Sequence, residues 1–200
     1  MDLDIDNMQK NYEKFKALCK KTGKNSKKLE KLVDALGERL IMSPSSGKDE
    51  YFNAFPGGLL DHSLKILEAS YKVAKGCGIE IENESIILCS LFCLIGKVGD
   101  EKRDLFIPQD NQWRRENLGE CYTFNPELKP MRASHRSLYL LQKFGVDLSH
   151  DEWMAIILSD GVSDETHMYS MKEPQLAVLI MAANKLIQAK AREDNTPVPF

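Results

Sequence analysis

The residues of this chain that can do chemistry are few and scattered. Cys89 and Cys93 stand four positions apart, one helical turn, and a thiol at Cys93 is a possible ligand for a soft metal such as zinc. Its neighbour Leu94 ligates nothing, so Cys93 reads better as a small buried hydrophobe. His62 lies among apolar residues at helical spacing, where an imidazole is more often a hydrogen-bonded core residue than a ligand. Lys97 follows Gly96 at the end of an apolar run, where a cation complements the negative end of a helix dipole. Trp113-Arg114-Arg115 joins an aromatic ring to two cations, a combination that stacks on bases or meets an acidic surface, or simply anchors a loop by its Trp. No glycine-rich loop runs into Lys-Ser/Thr, and no Gly-x-Ser-x-Gly elbow is present.

Composition bounds the possibilities. Two hundred residues suffice for one domain with a real core. With 42% apolar and 28% charged residues and a net charge of −3, the chain is ordinary for a globular protein and lacks the basic excess of a dedicated duplex binder. The lysines between Lys10 and Lys31 are diluted by Glu13 and Glu30 and read as a solvated face. Five cysteines without a CxxC pair imply free thiols in a reducing compartment and no zinc ribbon. The acidic start Met1-Asp2-Leu3-Asp4 is unlike a signal peptide, and no apolar run approaches the roughly 18 residues of a membrane span. A cytoplasmic location is expected.

Helical periodicity supplies the elements that must position these residues. Met8, Tyr12, Phe15 and Leu18/Cys19 predict a first helix, and Leu29, Leu32/Val33, Leu36 and Leu40 a second, which Ser26 is placed to cap. Ser43-Pro44-Ser45-Ser46-Gly47 then separates an arm, residues 1–46, from the remainder of the chain. Leu60, Leu64, Leu67, Tyr71 and Ala74 stripe a third helix that Gly76 and Gly78 end. The stretch from Ser85 to Ile95 is apolar all round, as in the middle of a bundle, with Gly96 as its stop. From Val98 to Met131 prolines and scattered charges predict loops and short turns anchored by Trp113 and Phe124. Helices resume over 133–144. A capping box Ser149-His150-Asp151-Glu152 opens a helix through Leu158, and Pro174 starts a last one running to about Ala191. No strand pattern is visible, and the tail 195–200 reads as frayed.

Five segments in order resemble the HD phosphohydrolase superfamily. Gly57-Gly58-Leu59-Leu60-Asp61-His62-Ser63-Leu64 resembles its first histidine helix, and Leu91–Lys97 the helix usually reading Leu-His-Asp-Ile-Gly-Lys. Ser134-His135-Arg136-Ser137-Leu138 and Ile157-Leu158-Ser159-Asp160-Gly161 resemble its intermediate motifs. Ala183-Asn184-Lys185-Leu186 resembles its closing Ala-Asp-Lys-Leu. The resemblance spans Tyr51 to about Ala191 and is greatest to the HD-domain proteins of tailed phages. It implies an all-α, HD-domain-like helical bundle over 47–194, with a loop-rich insertion around 98–131 and the N-terminal arm packed on the core.

The resemblance also implies a centre of divalent metals that activate water and grip phosphate, and here the sequence departs. Of the metal positions only His62 keeps its ligand. Phe52, Cys93, Leu94, Ser159 and Asn184 stand where histidines and aspartates are usual. The expectation is a catalytically inactive pseudo-phosphohydrolase that needs no cofactor and binds a protein partner or a nucleotide. For a phage protein, that partner would be a host factor in the bacterial cytoplasm; nucleic acid is a less favoured ligand. Lys97, His135 and Arg136 are then candidate phosphate contacts. The competing expectation is an active phosphohydrolase or nuclease with a metal site rebuilt from His62, His135, Asp100 and Asp160.

Overall fold

The structure is a computed structural model that describes residues 4–161 and 172–195. Among these residues eight α-helices and one two-stranded sheet are formed. The fold is mainly α-helical.

Helix α1 (Ile5–Cys19) and α2 (Ser26–Met42) bury Met8, Phe15, Cys19, Leu29, Leu32, Val33, Leu36 and Leu40, the positions the helical spacing selects. Ser26 is not the cap of α2 but its first residue, and the preceding Asn25 spends its amide elsewhere. Asn25 Nδ2 donates to the Asp147 carbonyl at 2.8 Å, and its Oδ1 accepts from the Asp147 amide at 3.0 Å. Arg39 Nε donates to Asp104 Oδ1 at 2.6 Å. These bonds fix the arm to distant parts of the chain, and its apolar side chains belong to one core cluster with those of every later long helix. Phe15 meets Phe92 edge to face at 5.3 Å between centroids.

Helix α3 (Gly58–Cys77) begins after Gly57, whose φ of 84° puts it in the left-handed region, and ends on Gly78 in the same region. Helix α4 (Asn83–Phe92) buries every residue from Ile86 to Phe92 and packs against α1, α3 and two later helices. It stops three residues before the predicted end, and the chain tightens into a 3₁₀ turn, Ile95–Val98. Gly96 is therefore not a helix stop. It lies inside the turn at a close approach, where an added Cβ would fall 2.2 Å from the Ala133 carbonyl. Ser137 seals this contact, accepting from the Gly96 amide and donating to the Cys93 carbonyl, each at 2.8 Å.

The segment 98–131 corrects two expectations. It holds strands β1 (Phe106–Pro108) and β2 (Tyr122–Phe124), paired antiparallel with Phe106 opposite Phe124. It also holds a short helix, α5 (Gln112–Leu118). Three-residue strands are too short to show a period of two, which is why no strand pattern is visible in the sequence. Trp113 and Phe124 are 62% and 69% exposed, so neither anchors the segment. It is attached by ion pairs, Arg39 with Asp104 and Lys48 with Glu120, and by backbone hydrogen bonds. Tyr122 donates to Gly47 at 3.0 Å and Asp49 donates to Gly119 at 2.9 Å, which lays the Ser43–Gly58 connection against the hairpin.

Helix α6 (Ala133–Lys143) packs on the 3₁₀ turn, and α7 (His150–Ile157) opens with the reciprocal Ser149–Glu152 capping box. Helix α8 (Gln175–Asn195) runs alongside α3 and past the predicted end at Ala191. The tail at 196–200 lies outside the described residues.

Candidate functional site

A single hydrogen-bonded chain forms at the junction of α3, α8, the 3₁₀ turn and the 43–47 connection. The Asn184 amide is oriented by donating Nδ2 to the Ser159 carbonyl at 2.9 Å, which turns its Oδ1 toward His62 Nε2 at 2.8 Å. Gln188 Nε2 donates to the same Oδ1 at 2.8 Å. An acceptor on that side makes Nε2 the protonated nitrogen. His62 Nδ1 then accepts from the Ser45 hydroxyl at 2.6 Å. Lys97 Nζ donates to the Ser45 carbonyl at 2.8 Å and stands 3.5 Å from its hydroxyl. The Phe52 ring closes over the imidazole edge to face, 4.5 Å between centroids.

The electrostatics follow from burial. His62 and Asn184 are each 1% exposed. Burial, reinforced by the Lys97 charge and only partly opposed by Asn184, pushes the His62 pKa down to about 3, so the imidazole is neutral. Burial likewise draws the Lys97 ammonium below the usual lysine range, against the attraction of Asp160. It pushes the Cys93 thiol up to about 12, which removes the thiolate that a soft metal would need.

Above this floor opens a cavity of about 710 Å³. Among the described residues five cations (Lys48, Lys97, Arg114, Arg132 and Arg192) and two carboxylates, Glu120 and Asp160, line it. Tyr51, Phe52, Phe106, Tyr122 and Phe124 supply aromatic wall. Arg114 and Lys48 share Glu120, at 2.8 and 3.5 Å.

The residues singled out in the sequence divide into three sets. His62, Asn184, Phe52 and Ser159 meet directly at the floor, the last through its carbonyl, and Lys97 and Asp160 join them at the cavity wall. Cys93 and Leu94 are fully buried behind that wall, Cys93 Sγ facing the Ser90 carbonyl at 3.7 Å. His135, Arg136 and Asp100 do not line the cavity. His135 is exposed on α6. Arg136 is buried and donates Nη2 to the Lys129 carbonyl at 2.9 Å, and among the described residues Nη1 has no hydrogen-bond partner. Asp100 accepts from the amides of Lys102 and Arg103 in its own turn. Arg132, one turn before His135 and Arg136, lines the cavity where those two do not. His62, His135, Asp100 and Asp160 form no ligand set. Among the described residues, no three His, Cys, Asp or Glu side chains are grouped to hold a metal ion.

Ser45 is the participant that sequence reasoning missed. Its neighbours mark a linker, yet it is 1% exposed and bonded to both His62 and Lys97. Phe106, Tyr122, Arg192 and Gln188 were missed as well, because only the folded chain brings the hairpin and the end of α8 to the cavity.

The floor does not suit the divalent metals that the HD resemblance implies. His62 has both ring nitrogens engaged by the protein, Asn184 offers a neutral amide oxygen, and Leu94 offers hydrocarbon. The molecule these features define is a mainly α-helical protein with a cationic, aromatic-walled cavity over a neutral histidine. No match to a protein-family model, a curated protein or a solved structure was found. Among the described residues no helix is long and apolar enough to cross a membrane.

Proposed function

We propose that this chain is a non-hydrolytic, HD-domain-like protein that holds a nucleotide in its cavity without metal. The carrying observation is the His62 Nε2–Asn184 Oδ1 hydrogen bond of 2.8 Å at the two positions that the resemblance assigns to metal ligands. In that bond His62 Nε2 carries its proton and so offers a metal no lone pair, and Asn184 brings a neutral amide oxygen where a carboxylate would supply charge. The five cations suit phosphate oxygens, and the aromatic wall suits a base. Lys97, which has no carboxylate at ion-pair distance among the described residues, is placed to meet an anion beside the Lys48 and Arg114 pair that shares Glu120.

The test is calorimetric titration of nucleoside mono-, di- and triphosphates in the presence of a chelator, with product analysis after addition of manganese or magnesium. Metal-free binding without turnover is expected. Lys97→Met should weaken binding at least about tenfold, the equivalent of one charge-assisted hydrogen bond to phosphate. Metal-dependent turnover would overturn the reading in favour of a working phosphohydrolase. Absence of any nucleotide binding would remove the ligand class.

A further inference from the structure

Lys97 differs from the other cations around the cavity. It projects from the 3₁₀ turn Ile95–Val98, whose Ile95, Gly96 and Val98 are all buried, and it is itself half-buried. Its Nζ is held by the Ser45 carbonyl at 2.8 Å. Among the described residues it has no carboxylate at ion-pair distance, whereas Lys48 and Arg114 both reach Glu120. The Ser45 hydroxyl beside it is already committed to His62. An amine placed this way is oriented, partly desolvated and open to the cavity, and desolvation favours its neutral, nucleophilic form.

We propose that Lys97 is a nucleophilic lysine that forms an imine with a carbonyl compound bearing an anionic group. The inference rests on the reading of the cavity as a site for anionic ligands. Lys48 and Arg114, on the same wall, would receive the anion and hold the carbonyl carbon near Nζ. The neutral amine adds its lone pair to that carbon, a C–N bond forms, and the carbonyl π pair moves to oxygen, which takes up a proton as the nitrogen releases one of its two. The carbinolamine then expels this oxygen as water while nitrogen gives up its remaining proton, leaving C=N. One water is released and nothing is oxidised or reduced. Asp160 lines the same cavity close enough for its charge to act on Lys97, and it can carry the proton between the two stages.

Pyridoxal 5′-phosphate, an aromatic aldehyde with a phosphate, is the probe. The full chain is incubated with it at limiting concentration, reduced with borohydride and mapped by peptide mass spectrometry. Lys97 is expected to carry the label before Lys24 and Lys72, whose side chains are 70% and 74% exposed. Label that reaches Lys24 and Lys72 first, or that misses Lys97, overturns the proposal. The mapping is made on the wild-type chain, so it does not depend on the folding of a variant. Lys97→Arg adds a second measurement, loss of the cavity label with surface labelling retained. Metal-free nucleotide titration of the same sample separates the two readings. Nucleotide binding without labelling of Lys97 rejects the imine alone, whereas failure of both rejects the anion-binding cavity too.

Discussion

Ser45 Oγ lies 2.6 Å from His62 Nδ1, and this bond ties the connection after α2 to the second turn of α3 at the cavity floor. It also fixes what His62 can be. With Ser45 donating on one side and Asn184 accepting on the other, the ring is a neutral bridge between two parts of the chain.

That neutrality makes a prediction about acid stability. The folded pKa of about 3 lies below the ordinary 6.5, so the unfolded chain binds the proton more readily than the folded one. The contribution of His62 to stability is therefore complete above 6.5 and is lost as pH falls from there toward 3. His62→Gln keeps hydrogen-bonding capacity without titrating in this window. Thermal midpoints between about pH 7 and 4 should fall more steeply for the wild type than for this variant, and parallel slopes would refute the assignment.

Asn184→Asp should destabilise the chain by about 1–3 kcal/mol in urea unfolding, because Ser159 loses its donor and a carboxylate enters a site that is 1% exposed. Combined with Cys93→His and Leu94→Asp it rebuilds the donor set that the HD resemblance implies. Manganese at a hundredfold excess over its dissociation constant should then raise stability by about 2.7 kcal/mol. A triple variant that folds but whose midpoint manganese does not move would count against the HD-like reading.

Leu94 is fully buried, so Leu94→Ala should cost about 2–5 kcal/mol through lost contacts and a residual cavity. Nucleotide affinity should survive, since Leu94 does not line the cavity. Titration of the folded variant checks this, and a parallel loss of affinity would contradict the placement of Leu94 behind the wall.

At Gly96, alanine would set its Cβ 2.2 Å from the Ala133 carbonyl and 2.6 Å from the Ser137 amide. Backbone on both sides cannot rotate away. Gly96→Ala should cost about 1–3 kcal/mol, the usual range for overpacking, while Gly76→Ala, with nothing within 4 Å, should be tolerated. Urea midpoints for the two variants, measured side by side, provide the check.

Local pattern was legible in the sequence. The buried face of α1, the left-handed Gly78 at the end of α3 and the Ser149–Glu152 capping box are each set by residues within a few positions of one another. Ser45 was not legible, because a Pro/Ser/Gly composition signals a turn but not that its serine will meet a histidine in the next helix and a lysine 52 residues away. Trp113 and Phe124 misled for a related reason. Large aromatics usually bury, but here they stand on a hairpin and short helix held by backbone hydrogen bonds and ion pairs rather than by apolar packing of these rings. The bond between His62 and Asn184 could be suspected only through the HD resemblance, since nothing local links the two positions.

The His62–Asn184 bond joins residues 122 positions apart, and the Asn25–Asp147 clasp spans the same distance. Closing loops of that size costs chain entropy before any contact returns it, so such pairings form late in folding. The floor draws on residues from Ser45 to Gln188, so no short segment of the chain contains it. A ligand that requires the floor therefore recognises only the finished chain, and its binding energy is added to global unfolding. Amides that exchange with solvent only through complete opening should all slow by one common factor when the cavity is filled, while those that exchange through fraying of helix ends keep their rates.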